Sequence, residues 1–413
     1  MPAPKHIDDK AIARLHEAAG GGDVQASYQL GECFAKGWSV TRDAGVAFGW
    51  YLQAAEAGHP QAAFRAVTVY LAGSVEGGDA SAAFAALIRA AEIGHPDSEA
   101  LLGWCYQQGL EVTVDMTRAL GWYRRAAAGG SAAGRYNLAM CLRHGKGVAT
   151  DEAAAVALFE LAAEQGYVRA QLNLGRALAE GRGVDRDPTA ALHWYRCAAE
   201  RGYAKAQYNL GLLLAGGDAA EQDDVEAAQW IEAAAEQGLA KAQFTLASLY
   251  RRGLGVEKDT AQALAWLEKS AHAGYTKAQY QLSKLLSKGD EIPADEPAAR
   301  RWLEAAASAG HADAQYRLAR RFIVMAEPES QRTAYRWFKR AADDGHLPAA
   351  YSVGVCHLKG KGANKDPVQA YRWFRRAAAE GYDSAQKALE KLERKLDPTT
   401  LARARDSDSR PAG

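Results

Sequence analysis

The chain has 413 residues, of which 48% are apolar, with 50 Lys plus Arg set against 50 Asp plus Glu. That composition can bury a core, while the balanced charge excludes a global pull toward nucleic acid or an anionic membrane. No apolar run approaches the roughly 18 residues of a membrane span, so no membrane partner is expected.

The first segment, residues 1–21, has no apolar h-region of the kind a secretory signal needs, and a cytoplasmic location is the expectation. It offers one candidate helix, Ala11 to Ala19, placed to cap the first repeat. From Gly22 onward the chain repeats itself. The stretch GYAKAQYNLG, which opens at Gly202, returns as GLAKAQFTLA from Gly238 and GYTKAQYQLS from Gly274. The leading glycine recurs at Gly22, Gly58, Gly94, Gly130, Gly166, Gly202, Gly238, Gly274, Gly310, Gly345 and Gly381, a step of 36 residues except for one of 35 after Gly310. Self-similarity at such a period marks a solenoid. Residues 22–380 therefore read as ten repeats, numbered here from Gly22.

Within a repeat two helices are legible. A first amphipathic helix, such as AQYNLGLLL from Ala206 to Leu214, spaces its apolar residues three and four apart. A glycine fifteen residues after the leading one closes it, as at Gly37, Gly145 and Gly253, with Met325 breaking the series. A loop comes next, often G-x-G-V, as at Gly181-Arg-Gly183-Val184. Good N-cap residues then open the second helix at Asp43, Asp79, Asp115, Asp151, Asp187, Asp223, Asp259, Asp295, Ser330 and Asp366. Seven residues on, most repeats place a tryptophan, from Trp50 to Trp373, expected to fill the space between helices; repeats two and four carry Ala86 and Leu158 instead.

The period, A-Q-x-x-L-G, G-x-G-V, the Asp cap, A-x-x-W-Y/F and A-A-x-x-G together resemble the Sel-one-like repeat, a relative of the tetratricopeptide solenoids. The likeness covers roughly residues 12 to 392. It implies an all-α, right-handed superhelical solenoid of about ten antiparallel helix pairs used for protein–protein contact, frequent in bacteria, with no family catalytic residue. The loops at Glu76-Gly77-Gly78, Asp218–Glu221 and Ala326–Pro328 depart from G-x-G-V.

The residues that carry chemistry elsewhere point to packing here. The spaced Asp residues share one repeat position, which favours capping over acid–base pairs. Cys33, Cys105, Cys141 and Cys356 also share one position, and no repeat holds two cysteines, so neither disulfides nor a metal site is indicated. His59, His95, His311 and His346 come directly after the leading glycine, with no metal-binding spacing among the histidines. No Walker loop or G-x-S-x-G elbow occurs, so no cofactor is expected and a hydrolase-like enzyme is the disfavoured reading.

Variable positions on the first helix are the candidates for partner choice. Positions three, seven and ten after the glycine lie on one face. In repeats five to nine they include Arg169, Asn173, Arg176, Lys205, Asn209, Lys241, Lys277, Gln281, Lys284, Arg317 and Arg320, with Asp313 the one acid. Either this basic stripe is a solvated helix face, or it lines a groove for an acidic or extended peptide. In the groove reading, Asn137, Asn173 and Asn209 would hydrogen-bond the peptide backbone. Repeats three and four place Asp97, Leu101, Trp104, Ala133, Asn137 and Met140 at the same positions, so Trp104 and Met140 read as an apolar hot spot unless the superhelix covers them. Other readings are nucleic-acid or polyanion binding through the stripe, although it has no interleaved stacking set, and self-association through an uncapped end. A helix over 381–397 would cap the last repeat, and 398–413 reads as a polar, flexible tail.

Overall fold

The computed structural model describes residues 8–73, 75, 78–216, 222–289, 293–325 and 327–406. These residues are helical, without strands, and divide into two compact units, 1–223 and 224–413. The departing loops at Glu76–Gly77, Asp218–Glu221 and Ala326 lie outside the described residues, as does Gly217.

In the first unit α1 (Asp9–Gly20) precedes α2 (Val24–Lys36), α3 (Ala44–Glu56), α4 (Pro60–Leu71), α5 (Ala80–Glu92), α6 (Pro96–Gln108), α7 (Met116–Ala128), α8 (Ala132–His144), α9 (Glu152–Glu164), α10 (Val168–Glu180), α11 (Pro188–Ala199) and α12 (Ala204–Gly216). The second holds α13 (Asp224–Glu236), α14 (Ala240–Arg252), α15 (Thr260–His272), α16 (Thr276–Lys288), α17 (Glu296–Ser308), α18 (Ala312–Ile323), α19 (Pro328–Asp343), α20 (Leu347–Lys359), α21 (Pro367–Ala379), α22 (Asp383–Glu393) and α23 (Pro398–Asp406). Within each unit, consecutive helices pack as a series of layers.

Capping chemistry fixes where the second helices start. Asp43, Asp115, Asp151, Asp187, Asp259 and Asp295 each accept a backbone N–H from the third residue on, at 2.9–3.0 Å. Ser330 does not. In the repeat shortened by one residue the N-cap falls three positions earlier, at Glu327, and α19 starts at Pro328, because proline is preorganised for the first helical turn. Ser330 instead lies inside the helix and donates to Glu327 Oε2 at 3.2 Å.

The tryptophans are not the main space-fillers. Those of the repeat series other than Trp266 are only half-buried, and the fully sequestered ring is the next residue: Tyr51, Tyr123, Phe159 and Phe374 are each at most 1% exposed. The reason is a glycine opposite. A Cβ on Gly31, Gly103, Gly175 or Gly354 would stand 2.5–2.8 Å from the ring of Tyr51, Tyr123, Tyr195 or Phe374. The glycine of A-Q-x-x-L-G is thus the socket for the following helix's aromatic residue. Trp122, Trp266, Trp337 and Trp373 each lie under a cation three residues on, with Arg125 4.4 Å from the Trp122 ring and Lys269 3.8 Å from Trp266.

The C-terminus also differs from expectation. Residues 398–406 are not a loose tail: α23 starts at Pro398, Asp397 accepts from the backbone N–H of Thr400 at 2.9 Å, and Ala404 is buried against Tyr371, Phe374 and Leu392. Leu401 and Ala404, set among polar neighbours, supply an apolar stripe too short to stand out in a charged sequence.

Successive layers also interlock through G-x-G-V. Gly255 adopts φ +67°, and a Cβ there would meet the Asp224 carbonyl oxygen, one repeat back, at 1.8 Å. Gly255→Ala therefore suffers twice, from the left-handed backbone and from the collision, and is expected to cost at least about 2 kcal/mol. Chemical denaturation checks this; a Gly255→Ala chain as stable as the parent would show that the loop can move aside.

Candidate functional site

Four consecutive first helices of the N-terminal unit build a groove. Phe64 and Thr68 of α4, Asp97, Leu101 and Trp104 of α6, Ala133 and Asn137 of α8, and Arg169 of α10 line a concavity of about 730 Å³. These lining residues of α6, α8 and α10 occupy the third, seventh and tenth positions after the leading glycine. Trp104 is half-buried: one side packs on the cores around Leu102 and Tyr123, and the other borders the groove. Met140 is also half-buried but packs on the Phe159 core and does not line this groove.

The three asparagines are not equivalent. Asn173 is engaged within the chain: Oδ1 accepts from Arg143 at 2.7 Å and Arg176 at 3.4 Å, and Nδ2 donates to the Arg169 carbonyl at 2.8 Å. Asn209 lies against the Tyr195 hydroxyl, whose pKa burial pushes up to about 12 against the opposing influence of Arg176 and Asn209. Asn137 has no hydrogen-bond partner among the described residues and sits in the groove.

The basic stripe divides between the two units. Arg169 and Lys205 are exposed on the first, and Lys241, Lys277 and Arg320 on the second. Lys284 leans over the Tyr280 ring at 5.7 Å, and Arg317 reaches the hydroxyl of the same tyrosine, so these two cations are held in place. Gln281 borders a separate cavity of about 150 Å³ between α14, α15 and α16, opened where the tenth position is the small Ser248.

Sequence reasoning missed that the third position is shared with the seam between repeats. Of the four histidines after the leading glycines, His59, His95 and His346 cap their helices with the side chain, and His311 does not. His59 Nδ1 accepts from the Ala62 N–H at 3.2 Å, His95 Nδ1 from Ser98 at 3.2 Å and His346 Nδ1 from Ala349 at 3.1 Å. Their Nε2 atoms then donate one repeat back, to Gln25 at 3.2 Å, Gln61 at 3.1 Å and Asp313 at 3.2 Å. Ser131 does the same to Asp97 at 2.9 Å. A recurring side chain at one position and a polar residue two places later was the available signal.

The reactive residue types are placed for packing. Cys33, Cys105, Cys141 and Cys356 are buried free thiols, and burial pushes Cys105 up to about 12 and Cys356 up to about 11, away from thiolate reactivity. Among the described residues no group of three or more His, Cys, Asp or Glu could hold a metal ion, and no helix is long and apolar enough to cross a membrane.

A series of consecutively packed helix pairs defines the class: an α-helical solenoid. The chain belongs to the Sel1 repeat family, whose profile matches residues 24–59, 96–131, 132–167, 168–203, 204–239, 240–275, 276–311, 312–346 and 347–382. Repeat two falls outside those matches, yet α4 and α5 are present there. The chain is similar to a protective antigen of uropathogenic Escherichia coli with an SLR fold, at 29% identity and TM-score 0.65, over 95% of this chain and 92% of that one. It is also similar to a Sel1 repeat protein from Oxalobacter formigenes, at 32% identity and TM-score 0.61, over 76% and 92% of the respective chains. No curated protein matches the chain. Proteins of this family are in general protein-interaction scaffolds.

The histidine caps give the fold a pH dependence. Burial pushes His59 and His95 below their ordinary value of 6.5, and neutral rings are what the caps require. A depressed histidine pKa contributes stability that is full above 6.5 and is lost as pH falls from there through the folded value. The melting temperature should therefore drop between about pH 7.5 and about pH 5.5, and His59→Asn with His95→Asn, which keeps a cap but cannot protonate, should flatten the drop. An unchanged slope in that variant would assign the acid sensitivity elsewhere.

Proposed function

We propose that this chain is a non-enzymatic scaffold that holds a peptide or protein partner in the groove of the N-terminal unit, with Trp104 as the apolar anchor. The observation that carries this reading is the position of Trp104, half-exposed at the wall of a concavity of about 730 Å³ rather than sealed within its own layer. A half-buried indole is rigid, already partly desolvated, and gains most when a partner covers its remaining face. Asn137 supplies an unspent amide on the groove, able to donate to and accept from an extended peptide. Arg169 and Asp97 place one cation and one carboxylate on the lining, which favours a partner of mixed charge here.

The exposed cations Lys205, Lys241 and Lys277 extend the candidate surface as separate patches on the two units, and an acidic partner segment would suit them. A polyanion reading of the same residues has no stacking set to support it.

Capture from lysate with the intact chain, Trp104→Ala and Asn137→Ala tests the proposal, with helical circular dichroism as the folding control. A partner retained by the intact chain should be weakened at least about tenfold by Trp104→Ala, as expected for an interface anchor. A partner that both folded variants hold as tightly as the parent would move recognition away from this groove.

A further inference from the structure

The C-terminal unit carries a second concave surface of different chemistry. Two adjoining concavities, of about 730 and 630 Å³, share Tyr351, Val355 and Lys359 as common wall. Six cations line them: Arg320, Lys359, Lys361, Lys387, Lys391 and Lys395. Among the described residues no aspartate or glutamate lines either one. All six are exposed, and none of their side chains has a hydrogen-bond or ion-pair partner among the described residues.

The carboxylates nearby are turned to other tasks. Glu390 accepts from Gln386 at 3.0 Å, while Glu393 accepts from Tyr371 at 2.8 Å and Arg405 at 3.0 Å, tying α22 to α21 and α23. Lys387, Lys391 and Lys395 are spaced four apart, so α22 and the turn after it present a rank of like charges about one turn, roughly 5.4 Å, from each other. Like charges at that spacing destabilise a helix, and no carboxylate of the described residues forms an ion pair with them. Packing therefore gives no account of the rank.

Between the cations the floor is apolar, made by Tyr351, Val355, Leu358 and Leu392. The Tyr351 ring packs on Phe374 at 5.4 Å and on Tyr382 at 5.8 Å, so it is engaged with its neighbours rather than set out in a row of stacking platforms. A nucleic-acid strand needs such platforms; an amphipathic polypeptide needs an apolar floor and a charged rim.

We propose that the surface formed by α18, α20 and α22 binds an acidic amphipathic helical segment of a partner protein. Its apolar face would seat on Tyr351, Val355 and Leu358, and carboxylates one turn apart would pair with Lys387, Lys391 and Lys395. The site is independent of the Trp104 groove.

The test is fluorescence anisotropy of the full chain with a labelled synthetic peptide of about eighteen residues, carrying leucine on one helical face and glutamate along its flanks. Saturable binding is expected, weakened at least about tenfold when glutamine replaces glutamate, by Lys359→Glu with Lys391→Glu, and by added salt, with Trp104→Ala unchanged. Several results would overturn the proposal: no saturable binding by the folded chain; equal binding of an oligothymidylate or of polyglutamate, which would make the surface a plain polyanion site; undiminished binding by a reversal variant of native helicity; or loss of binding in Trp104→Ala, which would place the peptide in the other groove.

Discussion

The seam between one repeat and the next is the contact on which the rest of the molecule depends. At its centre is a buried amide. Gln171, Gln207, Gln243, Gln279 and Gln315 each donate through Nε2 to the carbonyl eight residues earlier, at 3.1–3.3 Å, near the end of the preceding second helix. The carbonyl sits at a helix end and already accepts the N–H of the leading glycine, Gly166, Gly202, Gly238, Gly274 or Gly310, at 2.8–3.1 Å. The glutamine adds a second donor to it from the first turn of the following helix. Apolar faces alone would tolerate a slip of one turn between layers. A directional bond to one carbonyl does not, so the amide sets the register in which the faces are buried.

Where the glutamine is absent, the chain rebuilds the same contact with other chemistry. In repeat three its place is taken by Glu99, 3% exposed, and the donor comes from Arg125, which reaches Glu99 at 2.8 Å and the Ala91 carbonyl at 3.0 Å. Glu99 is buried while Arg125 is half-exposed, so removing the arginine would leave a buried carboxylate without its cation. The leading glycine beside them turns the chain, as at Gly202 with φ +77°, and the histidine or serine next to it binds the layer behind. The amide and the capping side chain divide the repeats between them: the glutamine serves repeats five to nine, and the His or Ser cap that binds the layer behind serves repeats two, three, four and ten, each beside the leading glycine.

Much of this was legible in the sequence because a repeat states each rule many times. The period, the helix pair, the aspartate caps and the role of the cysteines came from recurrence at fixed positions. Three features did not. The tryptophan is conspicuous, yet the quieter Tyr or Phe beside it fills the core, because burial depends on the glycine socket across the interface and not on residue size. The cap at Ser330 failed because one deleted residue let Pro328 start the helix, a competition between two good N-terminal signals. Residues 398–406 were too polar to announce a helix, whose stability comes from the last repeat on which it docks. Of the candidate site residues, Trp104, Asn137 and Arg169 line one concavity, whereas Met140 packs on the Phe159 core and Gln281 borders a separate cavity. Which side chains remain unspent, Asn137 but not Asn173, depends on neighbours a repeat away and is invisible to spacing.

The division of labour among these positions explains how a scaffold varies its surface without losing its fold. The third position contributes to the seam in repeats one, two, three and nine through Gln25, Gln61, Asp97 and Asp313, so its freedom is limited to residues that accept a hydrogen bond from the next cap. The tenth position bears no such duty in most repeats. It holds Trp104 in repeat three, where it walls a groove, Ser248 in repeat seven, where it opens a cavity of about 150 Å³, and Arg320 in repeat nine, where it adds charge to a basic rim. A change in size or charge there alters the concave face while leaving the amide, the glycine socket and the caps untouched. Repeat one marks the limit of that freedom. Its tenth residue, Glu32, is drawn inward to Tyr51 at 2.7 Å, Arg65 at 3.2 Å and Lys36, and although burial works against the carboxylate, those partners hold its pKa below the usual range. There the position has been absorbed into the core, and the surface it would have offered is gone.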